Sequence, residues 1–97
     1  MFYNVVLVRF KPEATAQQID LALSRLRALP EAVPPLLKLT MEKNAGVVDG
    51  AHDAIIVGEF ADVDAYREYQ THPAHAAVAR EFLLPILGEM SRIQYEA

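Results

Sequence analysis

The chain has 97 residues, 53% of them hydrophobic, with no cysteine and a formal net charge of −4. This length suits one small domain, and the missing thiols exclude a disulfide framework, a thiolate metal site and a cysteine nucleophile. Its acidic and basic residues are interspersed, which argues against a nucleic-acid or membrane-surface footprint.

Phe2 to Phe10 is rich in β-branched and aromatic residues, is closed by Lys11-Pro12, and reads as a strand. It is interrupted by Arg9, too short for a membrane span and without a signal peptide's basic flank. The expectation is a single cytoplasmic, soluble domain over residues 1–97. Thr15 and Gln18 have capping-box spacing, and Ile19, Ala22, Leu23 and Leu26 recur with the period of a helix that Leu29-Pro30 closes. After Pro34-Pro35, Leu37, Leu39 and Met41 alternate with polar residues up to Glu42 as a half-buried strand. Asn44 to Gly50 is a turn-rich loop, and Ala54 to Phe60 is an almost wholly apolar strand. Asp62 can cap a helix carrying Tyr66 and Tyr69. Pro73 ends that helix near Gln70 and starts another, because proline fits the first helical position and not the interior. Pro85 kinks or stops the second helix, and Met90 to Tyr95 is the last strand.

The order β-α-β-β-α-β is the split βαβ pattern of an α+β, ferredoxin-like fold with a four-stranded antiparallel sheet. Right-handed crossovers put the first and third strands in the middle. On the first strand Val6, Val8 and Phe10 oppose Tyr3, Val5 and Leu7; on the third, Ile56 and Phe60 oppose Ile55 and Val57. Both faces are apolar, yet helices cover only one. The bare face predicts a homodimer in which two sheets pack against each other.

The stretch Tyr69-Gln70-Thr71-His72-Pro73-Ala74-His75 concentrates the side chains able to do chemistry. His75 shares a helical stripe with Val78, Phe82 and Ile86, so it should face the sheet. In the first turn after Pro73 it feels the positive end of the helix dipole, which favours a neutral imidazole. Tyr69 lies on the approach to it, and the two form a candidate catalytic pair. Candidate ligand contacts are Asn4 on the first strand, Tyr66 a turn before Tyr69, His72 at the helix junction, and Phe82 on the stripe. Each has a plainer reading: His75 as a core histidine bonded to a carbonyl, His72 as a cap, Tyr66 as packing, Asn4 as a strand-edge amide. Asp53 reads as a strand-edge charge. His72 and His75 are divided by a helix start, with no fixed carboxylate or thiolate to complete a set, so no metal is expected. With no glycine-rich phosphate loop or dinucleotide fingerprint, no cofactor is expected either.

From about Val5 to Tyr95 the chain resembles the stress-responsive A/B barrel domain family, Dabb. The resemblance rests on Val5 to Pro12, on Leu26-Arg27-Ala28-Leu29-Pro30, on Asp53 leading into the third strand, and on a complete Y-x-x-H-P-x-H at Tyr69 to His75. It implies a dimeric α+β barrel. Members include plant stress-associated proteins and a cofactor-free polyketide cyclase, and the resemblance makes His75 the matching base and Tyr69 its assistant. Two positions depart from it: Asn4 stands where the family commonly has a histidine, and Ala54 where the cyclase has a further pocket histidine. Two functions follow as expectations. One is a cofactor-independent cyclase or lyase acting on an aromatic or polyketide-like molecule. The other is a non-catalytic dimeric domain binding a small apolar ligand or a stress-associated partner.

Overall fold

The computed structural model describes residues Met1–Ala97. The elements run β1 (Phe2–Phe10), α1 (Ala16–Arg27), α2 (Leu29–Ala32), β2 (Lys38–Lys43), β3 (Ala54–Phe60), α3 (Val63–Thr71), α4 (Pro73–Val78), a π-helical turn Ala79–Leu83, a 3-10 turn Leu84–Ile86, and β4 (Leu87–Glu96). All strand pairs are antiparallel, and the sheet order is β2-β3-β1-β4. The ferredoxin-like arrangement thus stands with β1 and β3 central. No helix is long and apolar enough to cross a membrane.

Local chemistry explains most boundaries. Thr15 accepts a hydrogen bond from the Gln18 amide, and the Gln18 side chain returns one from the Thr15 amide, closing a reciprocal cap on α1. Such a cap is worth about 1 kcal/mol. Asp62 caps α3 in one direction, accepting from the Ala65 amide at 2.8 Å. Leu29-Pro30 does more than close α1: Pro30 sits in the first turn of α2, a one-turn helix absent from the sequence expectation. This is the same device as at Pro73, where His72 caps the restart.

Three other expectations are corrected. β2 begins at Lys38, and Leu37 is exposed while Leu36 takes the buried place, because the chain turns through a bond from the Leu36 amide to the Val33 carbonyl. β4 begins at Leu87, three residues before Met90, because Gly88 lets it pass close to β1, where a Cβ would lie 3.2 Å from the Arg9 carbonyl oxygen. Asp53 is a stitch rather than a repelling edge charge: its carboxylate accepts from the Phe10 amide at 2.8 Å, and its own amide bonds the Val8 carbonyl.

The two sheet faces differ as the period-two pattern demands. Phe2, Asn4, Val6 and Val8 of β1 and Ala54, Ile56 and Phe60 of β3 are buried beneath the helices. With Leu23, Leu26, Leu29, Val33 and Leu36 they make one core. On the other face Tyr3, Val5, Leu7, Ile55 and Val57 are only half-buried, and Ile93 and Tyr95 are exposed.

The helix break yields a direct stability comparison. Pro73 occupies the first turn of α4, where its fixed φ helps and its missing N–H is not needed. Pro73→Ala is expected to cost less than about 1 kcal/mol, whereas Ala22→Pro, in the fully buried middle of α1, costs about 3 kcal/mol or more. Chemical denaturation of both variants checks this; equal losses would refute the restart at Pro73.

Candidate functional site

The site starts from two floor residues that are too small to fill it. Asn4 on β1 faces Gly58 on β3 across the ladder. An otherwise hydrophobic layer therefore holds an amide beside bare backbone. Gly58 also permits the Phe60 ring to lean over the strand, since a Cβ there would come within 3.0 Å of the ring edge. Above this floor, Tyr69 and His75 project from either side of the His72-Pro73 break, and their ring centroids are 4.2 Å apart. The result is a partly enclosed cavity of about 80 Å³ between sheet and helices, walled by Asn4, Gly58, Tyr66, Tyr69 and His75, with Met90 and Arg92 of β4 on one side.

Hydrogen bonding assigns the histidine tautomer. His75 Nδ1 lies 3.3 Å from the Gln70 carbonyl oxygen. A carbonyl only accepts, so Nδ1 carries the proton and Nε2 keeps its lone pair. The imidazole is held below its ordinary pKa, first by burial, then by the nearby charges of Arg92 and His72, while the Gln70 carbonyl pulls the other way. Burial rather than the helix dipole leads here, because α4 is only six residues long.

Tyr69 is 7% exposed and donates no hydrogen bond within the chain, yet no side-chain polar atom is sealed away without a partner. Its hydroxyl is therefore open to the cavity. Burial, reinforced by Tyr66 and opposed by Arg92, pushes its pKa up to about 12. At neutral pH the cavity thus presents an unprotonated nitrogen and a fully protonated phenol. That combination can take a proton at one atom and donate a hydrogen bond to a developing oxyanion at another.

Asn4 is buried, and its Oδ1 accepts from Gln94 Nε2 at 2.9 Å, so the amide is a wall of the cavity rather than a loose strand-edge group. Tyr66 reaches the cavity with one edge while its ring packs on Phe2 and Phe60, at centroid distances of 5.1 and 5.4 Å. The other two candidates are not brought in. His72 Nδ1 accepts from the Ala74 amide at 3.1 Å and is occupied as the α4 cap. Phe82 turns toward α1, where the Arg25 guanidinium lies 5.1 Å from its ring centroid. The wider π-helical turn explains this: it shifts the stripe by one residue, so Ala79 and Leu83 follow His75 to the cavity. Arg92 and Met90 went unrecognised in the sequence, although Arg92 lies opposite Val6 and so shares the cavity side of the sheet. A roomier groove of about 500 Å³ lies at the other end of β1 near Phe10, Lys11 and Asp53. It is open, has no histidine or tyrosine, and its aspartate is already bonded to Phe10.

Lowered basicity of His75 has a pH signature. The native state resists a proton that the unfolded chain accepts near pH 6.5. Relative stability is therefore fully present above that value and is lost as pH falls from it through the folded pKa. Wild type is expected to lose more stability over this window than His75→Gln, with both measured by urea denaturation across the range; parallel profiles would contradict the burial effect.

Among proteins of curated function, none matches the chain. Solved structures do. A dimeric ferredoxin-like protein of unknown function from Thermobifida fusca is 26% identical, with a TM-score of 0.89, covering 99% of this chain and 90% of its own. A Dabb family protein from Mesorhizobium loti is 21% identical, with a TM-score of 0.82 and coverage of 99% and 95%. The hydroxynitrile lyase of Passiflora edulis is 16% identical, with a TM-score of 0.86 and coverage of 97% and 90%, a likeness of fold. The model of the stress responsive A/B barrel domain matches residues 2–97, and the chain belongs to that family, Dabb.

Proposed function

We propose that the protein is a homodimer, joined through the outer sheet face, in which each cavity carries out cofactor-free cyclase- or lyase-type chemistry on a small aromatic or polyketide-like carbonyl compound. What carries the catalytic reading is the pairing of an unpartnered His75 Nε2 with the protonated Tyr69 hydroxyl in one cavity. In the lyase direction Nε2 takes the hydroxyl proton of a β-hydroxy carbonyl compound or cyanohydrin. The oxygen's electron pair forms the new C=O as the carbon–carbon bond breaks, and the departing carbanion takes the proton back from the imidazolium. The cyclase direction reverses these steps within one molecule, after Nε2 has removed a proton next to a carbonyl. Tyr69 hydrogen-bonds the oxygen that gains negative charge.

Size limits how a substrate sits. A cavity that holds benzene is about 150 Å³, nearly twice the present 80 Å³. Only the reacting carbon and its nearest substituents therefore enter, and an aromatic remainder rests at the mouth. The small volume also supports the second reading, a non-catalytic dimeric ligand-binding or stress-associated domain. Dimerisation is supported by the half-buried apolar outer face and by the dimeric description of the Thermobifida fusca protein.

The test is benzaldehyde release, followed by absorbance, from mandelonitrile and from the aldol adduct of benzaldehyde with acetone. Release well above the buffer rate is expected. Rates equal to buffer for both, with a thermal shift on ligand addition, would leave the binding reading in its place.

A further inference from the structure

The chain has 13 acidic against 9 basic residues, yet no carboxylate lines the cavity, and Arg92 is the one permanently charged group in its wall. The scarcity of acid is local and opposite to the chain's overall balance. Arg9, Arg67 and Arg80 each lie 3.3 to 3.8 Å from a carboxylate. Arg25, Arg27 and Arg92 make no ion pair, and of these Arg92 alone lines the cavity; its side-chain hydrogen bond is Nη2 to Met90 Sδ at 3.9 Å, which is weak. Its position is set by the ladder, opposite Val6 on the cavity side, with Gln94 two residues on holding Asn4. Gln94 donates to Asn4 Oδ1, and the Asn4 amide protons, a separate donor pair, make no hydrogen bond within the chain. This side of the cavity is therefore rich in free donors, with a guanidinium, an amide and a phenol. Its charge reaches the reacting groups, since Arg92 acts on both Tyr69 and His75.

We propose that Arg92 determines specificity by binding a carboxylate on the substrate, so that the molecule presented to His75 and Tyr69 is a small oxo or hydroxy acid rather than a neutral ketone. Guanidinium and carboxylate match as a planar, two-bond pair, which also fixes orientation. With the acid held at the mouth, the remainder of the molecule extends toward the cavity floor, where only a carbonyl-sized group fits. A neutral compound has the same cavity but no anchor. This inference deepens the acid–base reading and rests on it for the word substrate, while the anion site itself is open to measurement without turnover.

The probe pair is levulinate and its methyl ester, titrated by calorimetry against wild type, Arg92→Gln and Arg92→Lys. Wild type is expected to bind the acid about tenfold more tightly than the ester, with the ratio shrinking as salt is added. In Arg92→Gln the ratio collapses to about one through loss of acid affinity alone, and Arg92→Lys falls between because a point charge lacks the planar fork. Arg92 is exposed, so unchanged melting temperatures are expected in both variants. Equal affinities in wild type, no binding of the acid at millimolar concentration, or a ratio that survives Arg92→Gln would each overturn the inference. An Arg92-dependent ratio in a protein that cleaves neither the neutral probes nor the acidic aldol adduct of benzaldehyde with pyruvate leaves the anion site standing and removes the catalytic reading instead.

Discussion

Replacing His75 by alanine is expected to lower the rate of benzaldehyde release by about 10²- to 10⁴-fold, the usual contribution of one general base. Nε2 is the one group in the cavity able to accept a proton at neutral pH: Tyr69 is held protonated, Arg92 stays charged, and Asn4 and Gln70 are amides. The fold should survive, because His75 is half-buried, its single hydrogen bond is a 3.3 Å approach to a carbonyl, and α4 is capped by His72 and started by Pro73 without it. Tyr69→Phe separates the roles. It keeps the ring that packs on Phe60 and His75 and removes the donor, so a loss of about 10²- to 10³-fold is expected. Circular dichroism and melting curves accompany both rate measurements. A His75→Ala protein that unfolds, or one that keeps its rate, makes His75 a core residue and ends the acid–base reading.

Most of the fold was legible because its signals are local. Alternation on Phe2–Phe10 and Ala54–Phe60 gives two central strands with opposite faces, and Thr15, Asp62 and Pro73 mark helix starts through bonds made within a few residues. The misses were set by contacts distant in sequence. β4 starts at Leu87 because Gly88 can approach the end of β1, and nothing within the last strand announces that approach. Asp53 looks like an edge charge until the Phe10 amide is placed beside it.

The site divides in the same way. Tyr69 and His75 come together because one helix break separates them, and that break is written in Pro73. Phe82 was misplaced because a regular helical stripe was extended through Ala79–Leu83, where the backbone winds more widely. No residue type there encodes the π-turn on its own. Arg92 needed the strand register: once Val5 and Val6 are paired with Ile93 and Arg92, alternation alone puts the arginine on the cavity side. Exposed charges at the chain's end read as solvated until that pairing is known.

The second large effect concerns the outer face. Val5 sits at its centre, opposite Val57 on one neighbour strand and Ile93 on the other, with Tyr3 and Leu7 on the same face of its own strand. Ile93 is 67% exposed, Tyr95 is 48% exposed, and Tyr95 stacks on Tyr3 at 4.8 Å, so the apolar surface runs on across β1 to β4. Such a continuous apolar surface is what a sheet-to-sheet interface buries. Val5→Asp would put a carboxylate in that interface with no cation directly across from it, since its two cross-strand partners are both aliphatic and Arg92, next to Ile93, alternates toward the other face. An unpaired buried charge costs several kcal/mol, enough to shift association by more than a hundredfold, because each 1.4 kcal/mol is about tenfold. Sedimentation equilibrium at micromolar concentration is expected to give a dimer for wild type and a monomer for Val5→Asp. The wild-type melting temperature should rise with protein concentration, as linkage between folding and association requires. The variant should lose that dependence and melt lower, because its apolar face is then left in water. A wild-type monomer at micromolar concentration would refute the dimer outright. A Val5→Asp protein that stays dimeric would place the interface elsewhere, and a sheet face this apolar would then need another partner to cover it.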